Sequence, residues 1–123
     1  MIRLDTNYIL RYLLNDNEKM ATLAEEAILH KNVHISNEVW AEVVYVLEGI
    51  YDLEKEKISK VLLSLLQADN IKVLDKYNLA KALEIFAQKK LDFVVCLLCA
   101  YAGVDEVYTF DKKLQKCVDT QKS

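Results

Sequence analysis

The chain has 123 residues, 16 Lys and Arg against 19 Asp and Glu, a net charge of −3 and a hydrophobic fraction of 53% without proline, which suits one domain, 1–123, with its own core and excludes a disordered chain. No apolar run approaches the ~20 residues of a membrane span, Met1 to Asp5 lacks the basic and apolar blocks of a secretory signal, and the odd set Cys96, Cys99 and Cys117 fits a reducing compartment. A cytoplasmic protein with no membrane partner is therefore expected, and its negative balance requires any nucleic-acid binding to be local and metal-assisted.

Ile2 to Leu4 is a short apolar stretch, and Ile9, Leu10, Leu13 and Leu14 then recur at helical spacing. The pattern predicts a strand followed by a helix. A second helix is predicted from about Glu18 to His30, with Leu23, Ala27 and Ile28 on its apolar side and Asp16 or Asn17 as cap. Val33-His34-Ile35 alternates like a strand, and Ser36-Asn37 supplies an N-cap before the stripe Val39, Val43, Val46, Leu47 and Ile50. Further helices are predicted over Asp52 to Gln67 and Asn78 to Lys90, separated by a strand at Ile71 to Leu74. Asp92 to Ala102 is a very apolar helix closed by Gly103 as C-cap. Val107-Tyr108-Thr109-Phe110 has strand content, and Asp111 opens a short basic helix, Lys112 to Lys116. Strands that alternate with helices predict a parallel sheet covered by helices on both faces, because parallel neighbours need long right-handed crossovers. There is no internal repeat and no low-complexity segment.

Three carboxylates are placed by these elements. Asp5 follows the first strand, Asp111 follows the last, and Glu42 lies in the second turn of the helix after the Val33 strand. All should meet at the carboxyl edge of the sheet, where open α/β folds bind ligands. Counting about 100° per residue puts Glu42 at the border of the buried stripe, with Glu38 further out one turn earlier. Gathered carboxylates repel one another unless a cation offsets them, and hard oxygen ligands suit Mg²⁺ or Mn²⁺. Such a site is suited to phosphodiester hydrolysis by metal-activated water. Taken singly, Asp5 and Asp111 are equally good helix caps.

The segments Leu4-Asp5-Thr6-Asn7-Tyr8-Ile9, Ser36-Asn37-Glu38-Val39-Trp40-Ala41-Glu42 and Val107-Tyr108-Thr109-Phe110-Asp111-Lys112 resemble, in order, the motifs of PIN-domain proteins, particularly the small VapC-type toxins of toxin–antitoxin pairs. The resemblance implies a three-layer α/β/α sandwich with a short parallel sheet of four to five strands. It also implies a metal-dependent endoribonuclease in which Asp5, Glu42 and Asp111 bind Mg²⁺ or Mn²⁺, and a homodimer whose partners are RNA and a cognate antitoxin protein. Asn7 and Thr109 would be polar supports of the pocket, and Glu38 an outer acid. Thr6 either joins them or bonds the first helical turn.

The family's further acid falls at Val95 in the run Leu91-Asp92-Phe93-Val94-Val95-Cys96, and valine ligates nothing. Asp92, nearly one turn earlier, is either a helix cap or a substitute ligand. A second reading follows, in which the protein is a catalytically impaired PIN module that acts by dimerising or by binding antitoxin or RNA. A phosphotransferase of the haloacid-dehalogenase type would want a second acid where Asn7 stands, and is set aside.

The remaining signals are weaker. Cys96 and Cys99 form a C-x-x-C inside an apolar helix and read as two small core residues. His30 reads as a cation at a helix C-terminus, and Trp40, Tyr45 and Tyr51 as packing residues. Lys112, Lys113 and Lys116 either steer an RNA backbone or form a solvated face.

Overall fold

A computed structural model describes residues 1–122. The chain runs β1 (Ile2–Arg3), α1 (Thr6–Leu14), α2 (Glu18–His30), β2 (Val33–His34), α3 (Asn37–Gly49), α4 (Lys55–Leu66), β3 (Ile71–Lys72), α5 (Lys76–Gln88), α6 (Phe93–Tyr101) and α7 (Lys112–Lys122). The strands pair in parallel in the order β1-β2-β3, with Ile2, Val33 and Ile71 in register and Arg3, His34 and Lys72 in the next row. Because alternate residues of a strand face opposite ways, the first row is apolar and the second polar. Val33 and Ile35 have no exposed surface and Ile71 has 4%, whereas Arg3 and Lys72 are exposed and Arg3 Nη1 donates to His34 Nδ1 at 3.2 Å.

The class is α/β with a parallel sheet, as expected. Among the described residues the strands number three rather than four to five. Val107 to Phe110 joins no ladder, and Tyr108 and Phe110 lie in solvent. Strand propensity reflects the fit of side chains to a half-buried pleat, and no pleat accompanies this segment.

The helices follow their caps. Asn17 accepts from Met20 N at 3.0 Å and starts α2, so the cap is Asn17, while Asp16 instead takes a bidentate bond from Arg11 at 2.8 and 2.9 Å. Asn15 ends α1 in the left-handed region at φ 50°, a conformation asparagine tolerates. The C-terminal end of α2 is held from the start of β3, where Asn70 Nδ2 donates to the carbonyls of Ile28 and Lys31 at 2.6 and 2.8 Å. Leu23, placed by periodicity on the apolar side of α2, is 53% exposed, because Ala21, Ala24, Ala27 and Ile28 carry that face inward. Gly103 is not a left-handed C-cap. Ala102 closes α6 in the right-handed region, and Val104 and Asp105 then donate to Tyr101 O. The C-terminal helix is longer than its basic stretch, since Leu114, Cys117 and Val118 give it a buried side.

Trp40 and Phe86 are the largest fully buried side chains. Phe86 meets Phe93 edge to face with centroids 5.8 Å apart, and Lys55 Nζ sits 3.7 Å from the Phe86 centroid while donating to Leu91 O at 2.8 Å. One lysine thus ties α4 to the α5–α6 corner, by a cation–π contact of about 0.5–2 kcal/mol and a hydrogen bond. Ser59 Oγ donates to Leu83 O at 2.8 Å and locks α4 to α5 within the core.

The cysteines require a correction. Cys99 and Cys117 form a disulfide across 18 residues, joining α6 to α7, and only Cys96 is free, so the cysteines no longer argue for a reducing compartment. Both Cys96 and Cys99 are buried in the core as expected, but a second cysteine on the neighbouring helix makes Cys99 a crosslink. A loop of this span restricts the unfolded chain by about 3 kcal/mol. Reduction is therefore expected to lower the unfolding free energy by about that amount in urea melts with and without a dithiol reductant.

Burial pushes the Cys96 thiol up from 9.0 to about 11, with Lys55 opposing the shift and Asp92 and Glu48 adding to it. The folded protein keeps this proton after the unfolded chain has lost its own, so the contribution is complete below pH 9.0 and is lost as pH rises toward about 11. Urea melts of the parent and of Cys96→Ala are expected to diverge over that window, the parent losing more stability.

Candidate active site

Asp5 stands one residue beyond the end of β1, after Leu4, and its side chain accepts from Tyr8 N at 3.0 Å, which makes it the N-cap of α1. Leu4 before it and Ile9 and Leu10 after it are buried, so packing fixes the turn in which it lies. Ser36 occupies the N-cap position of α3 without a side-chain bond, and Glu38 and Glu42 follow in the first and second turns. Since β1 and β2 are adjacent and parallel, Asp5 and the start of α3 belong to one edge of the sheet, and α1 packs on α3.

Glu42 is exposed, contrary to the expectation of a margin position. The buried stripe of α3 runs along Trp40, Val43, Val44 and Leu47, and at about 100° per residue Glu42 falls on the far side of it. Glu38 is exposed as well. Thr6 is half-buried, its hydroxyl without a hydrogen bond among the described residues, and Asn7 is exposed.

Asp111 precedes α7, and its Oδ1 accepts from Leu114 N at 2.9 Å while its own N–H donates to Thr109 Oγ1 at 3.0 Å. Thr109 therefore does support Asp111. Asp111 does not stand at a strand end as expected, however, because among the described residues the element before α7 is α6. Asp92 holds the N-cap position of α6 but makes no cap bond. Val95, one turn on, is half-buried against the core.

The acids do not converge into a ligand set. Asp5 lines a cavity of about 530 Å³ with Arg3, Tyr8, Leu23, Glu26 and Lys31. Asp92 lines another, of about 230 Å³, with Ala41, Tyr45, Glu48 and Val94 between α3 and α6. Among the described residues no three His, Cys, Asp or Glu side chains stand close enough to hold a metal ion. The chemistry of the donors suits Mg²⁺ or Mn²⁺, but their arrangement does not supply a complete set. Sequence reasoning missed two features near these acids, the Cys99–Cys117 tie and the pairing of Lys89 and Lys90 with the lysines of α7 around one cavity. The dibasic end of α5 was the available signal for the second.

The fold is that of a small α/β protein with a parallel sheet and carboxylates at helix starts. The PIN domain matches residues 2–119, so the chain belongs to the PIN-domain family. A VapC ribonuclease of Aquifex aeolicus (strain VF5) is 29% identical over 120 residues, covering 92% of this chain and 89% of that protein. No solved structure matches the chain significantly. No helix among the described residues is long and apolar enough to cross a membrane.

The caps separate fold from chemistry. Asp5→Asn and Asp111→Asn should leave urea stability within a few tenths of a kcal/mol, since asparagine caps as well as aspartate, and the alanine variants should each lose about 1 kcal/mol. Asp92→Ala, which breaks no cap bond, should change stability by less than about 0.5 kcal/mol.

Proposed function

We propose that this protein, taken as one PIN-like domain over 1–123, is an endoribonuclease of the toxin–antitoxin kind. It acts in the cytoplasm with Mg²⁺ or Mn²⁺, as a homodimer restrained by a cognate antitoxin, and Asp5, Glu42 and Asp111 carry the activity. The observation that carries this reading is the family match across residues 2–119, which spans all three acids, with the ribonuclease relative as further support. The Oδ2 oxygens of Asp5 and Asp111 also favour it, because each cap uses only Oδ1. The ion would supply a water acidified enough to attack phosphorus. Among the described residues the carboxylates as they stand do not surround it.

One observation favours a second reading. Val95 stands where the resemblance requires an acid and packs against the core, and no three-acid cluster compensates among the described residues. A PIN module impaired in catalysis would still dimerise or bind antitoxin or RNA.

Purified protein incubated with structured RNAs and Mg²⁺ or Mn²⁺, beside Asp5→Asn and Val95→Asp, separates the two. Cleavage by the parent that falls at least about 100-fold in Asp5→Asn establishes the nuclease. An inert parent revived by Val95→Asp establishes the impaired module. If neither cuts RNA and calorimetry detects no metal binding, the nuclease reading fails.

A further inference from the structure

The charge on this chain is unevenly placed, so the requirement for metal assistance drawn from its overall balance does not extend to every face. Although its balance is −3, one cavity of about 200 Å³ is lined by Lys89, Lys90, Lys113 and Lys116, with Leu91 and Cys117 between them. Lys89 and Lys90 close α5 and lead into the corner before Asp92, and Lys113 and Lys116 lie three apart on α7 just after Asp111. Residues three apart share a helix face, so two pairs of cations confront each other across the groove. The ion pairs among the described residues are Arg11–Asp16 and Lys55–Glu48, and none of these four lysines has a carboxylate partner. Four like charges around one small space repel one another, and a polyanion relieves that repulsion.

The two walls are also held together. Cys117 lines the groove and is bonded to Cys99 on α6, and Lys55 fixes the corner through Leu91 O. Such a surface is formed before its ligand arrives, which lowers the ordering cost of binding.

We propose that this groove binds the phosphodiester backbone of single-stranded RNA, with Asp111 capping the helix that forms one of its walls. That the ligand is RNA rests on the ribonuclease reading, whereas its being a polyanion rests on the lysines alone. A backbone of phosphates needs only cations at intervals. An acidic peptide would also need side-chain pockets, and the groove offers only Leu91 and Cys117.

Anisotropy of a labelled single-stranded RNA of about 20 nucleotides, bound to the intact protein in EDTA across a potassium chloride series, tests this without cleavage. The quadruple variant Lys89→Gln, Lys90→Gln, Lys113→Gln, Lys116→Gln is expected to bind at least about tenfold more weakly. Its slope of log affinity against log salt should fall by about 3. Lys57→Gln with Lys60→Gln on α4 removes charge elsewhere and should stay within about twofold of the parent. Circular dichroism checks that each variant keeps its helices, and single Lys90→Gln and Lys113→Gln variants, each expected to lower the slope by about 0.7, serve if the quadruple variant does not fold. Unchanged affinity and slope in folded variants overturn the proposal. So does poly-glutamate that displaces the RNA at equal charge concentration, which would mark the groove as a site for acidic protein. Cleavage in Mg²⁺ or Mn²⁺ is read separately. RNA bound through the lysines but never cut leaves the groove standing and removes the nuclease, and RNA cut equally by the quadruple variant does the reverse.

Discussion

The central strand is the constraint on which the structure depends. β2 is paired in parallel on both sides, and parallel neighbours are reached only by long crossovers, here α1–α2 and α3–α4. The two sides are unequal. Val33 N and Ile35 N donate to Asn70 O and Lys72 O at 3.0 and 2.9 Å, whereas Ile2 N and Leu4 N donate to Asn32 O and His34 O at 3.4 Å. Two-residue strands supply few bonds in any case, so β1 stays in place mainly through burial of Leu4, Ile9 and Leu10, each contributing about 1.5–3 kcal/mol. The orientation of Asp5 is therefore a consequence of how α1 packs, more than of the ladder.

A cap and a ligand are often treated as rival explanations for an aspartate, but the geometry at Asp5 and Asp111 makes them compatible. One oxygen accepts from the helix and fixes the carboxylate, and the cap leaves the other unused on an exposed residue. Asp92 differs, for it has the position without the bond. Its neighbourhood is held instead by Lys55, which reaches Phe86, Leu91 and Glu48 together. The beginning of α6, where the resemblance calls for an acid and Val95 stands, is thus a well-supported part of the molecule.

The legible parts of the fold were those written locally. The bounds of α2 were readable because Asn17 caps one end and the apolar period stops at the other, and Asp5 and Asp111 were readable because they sit beside element boundaries. What failed depended on distant partners. Val107 to Phe110 has the composition of a strand, but whether it pairs is decided by a neighbouring edge that composition does not describe. Glu42 was misplaced because Val39 and Val46 were given the centre of a stripe that Trp40 and Val44 occupy. The Cys99–Cys117 bond was invisible for the same reason, since pairing follows from the packing of α7 on α6 and not from spacing.

The same packing explains how opposite charges are kept near each other without neutralising one another. The acids at helix starts are stabilised by backbone N–H groups and by the positive end of the helix dipole, as at Asp5 and Asp111. Lys89 at the end of α5 gains similarly from the negative end. Lys112 and Lys113 are in the opposite situation, because the first turn of a helix disfavours cations by about 0.3–1 kcal/mol each. The Asp111 cap on Leu114 N and the disulfide at Cys117 offset that cost and allow a basic helix to begin beside an acid. Charges compensated by backbone in this way form few ion pairs with each other. Among the described residues the ion pairs are Arg11–Asp16 and Lys55–Glu48, which leaves the α7 lysines unpaired as the proposed RNA contact requires.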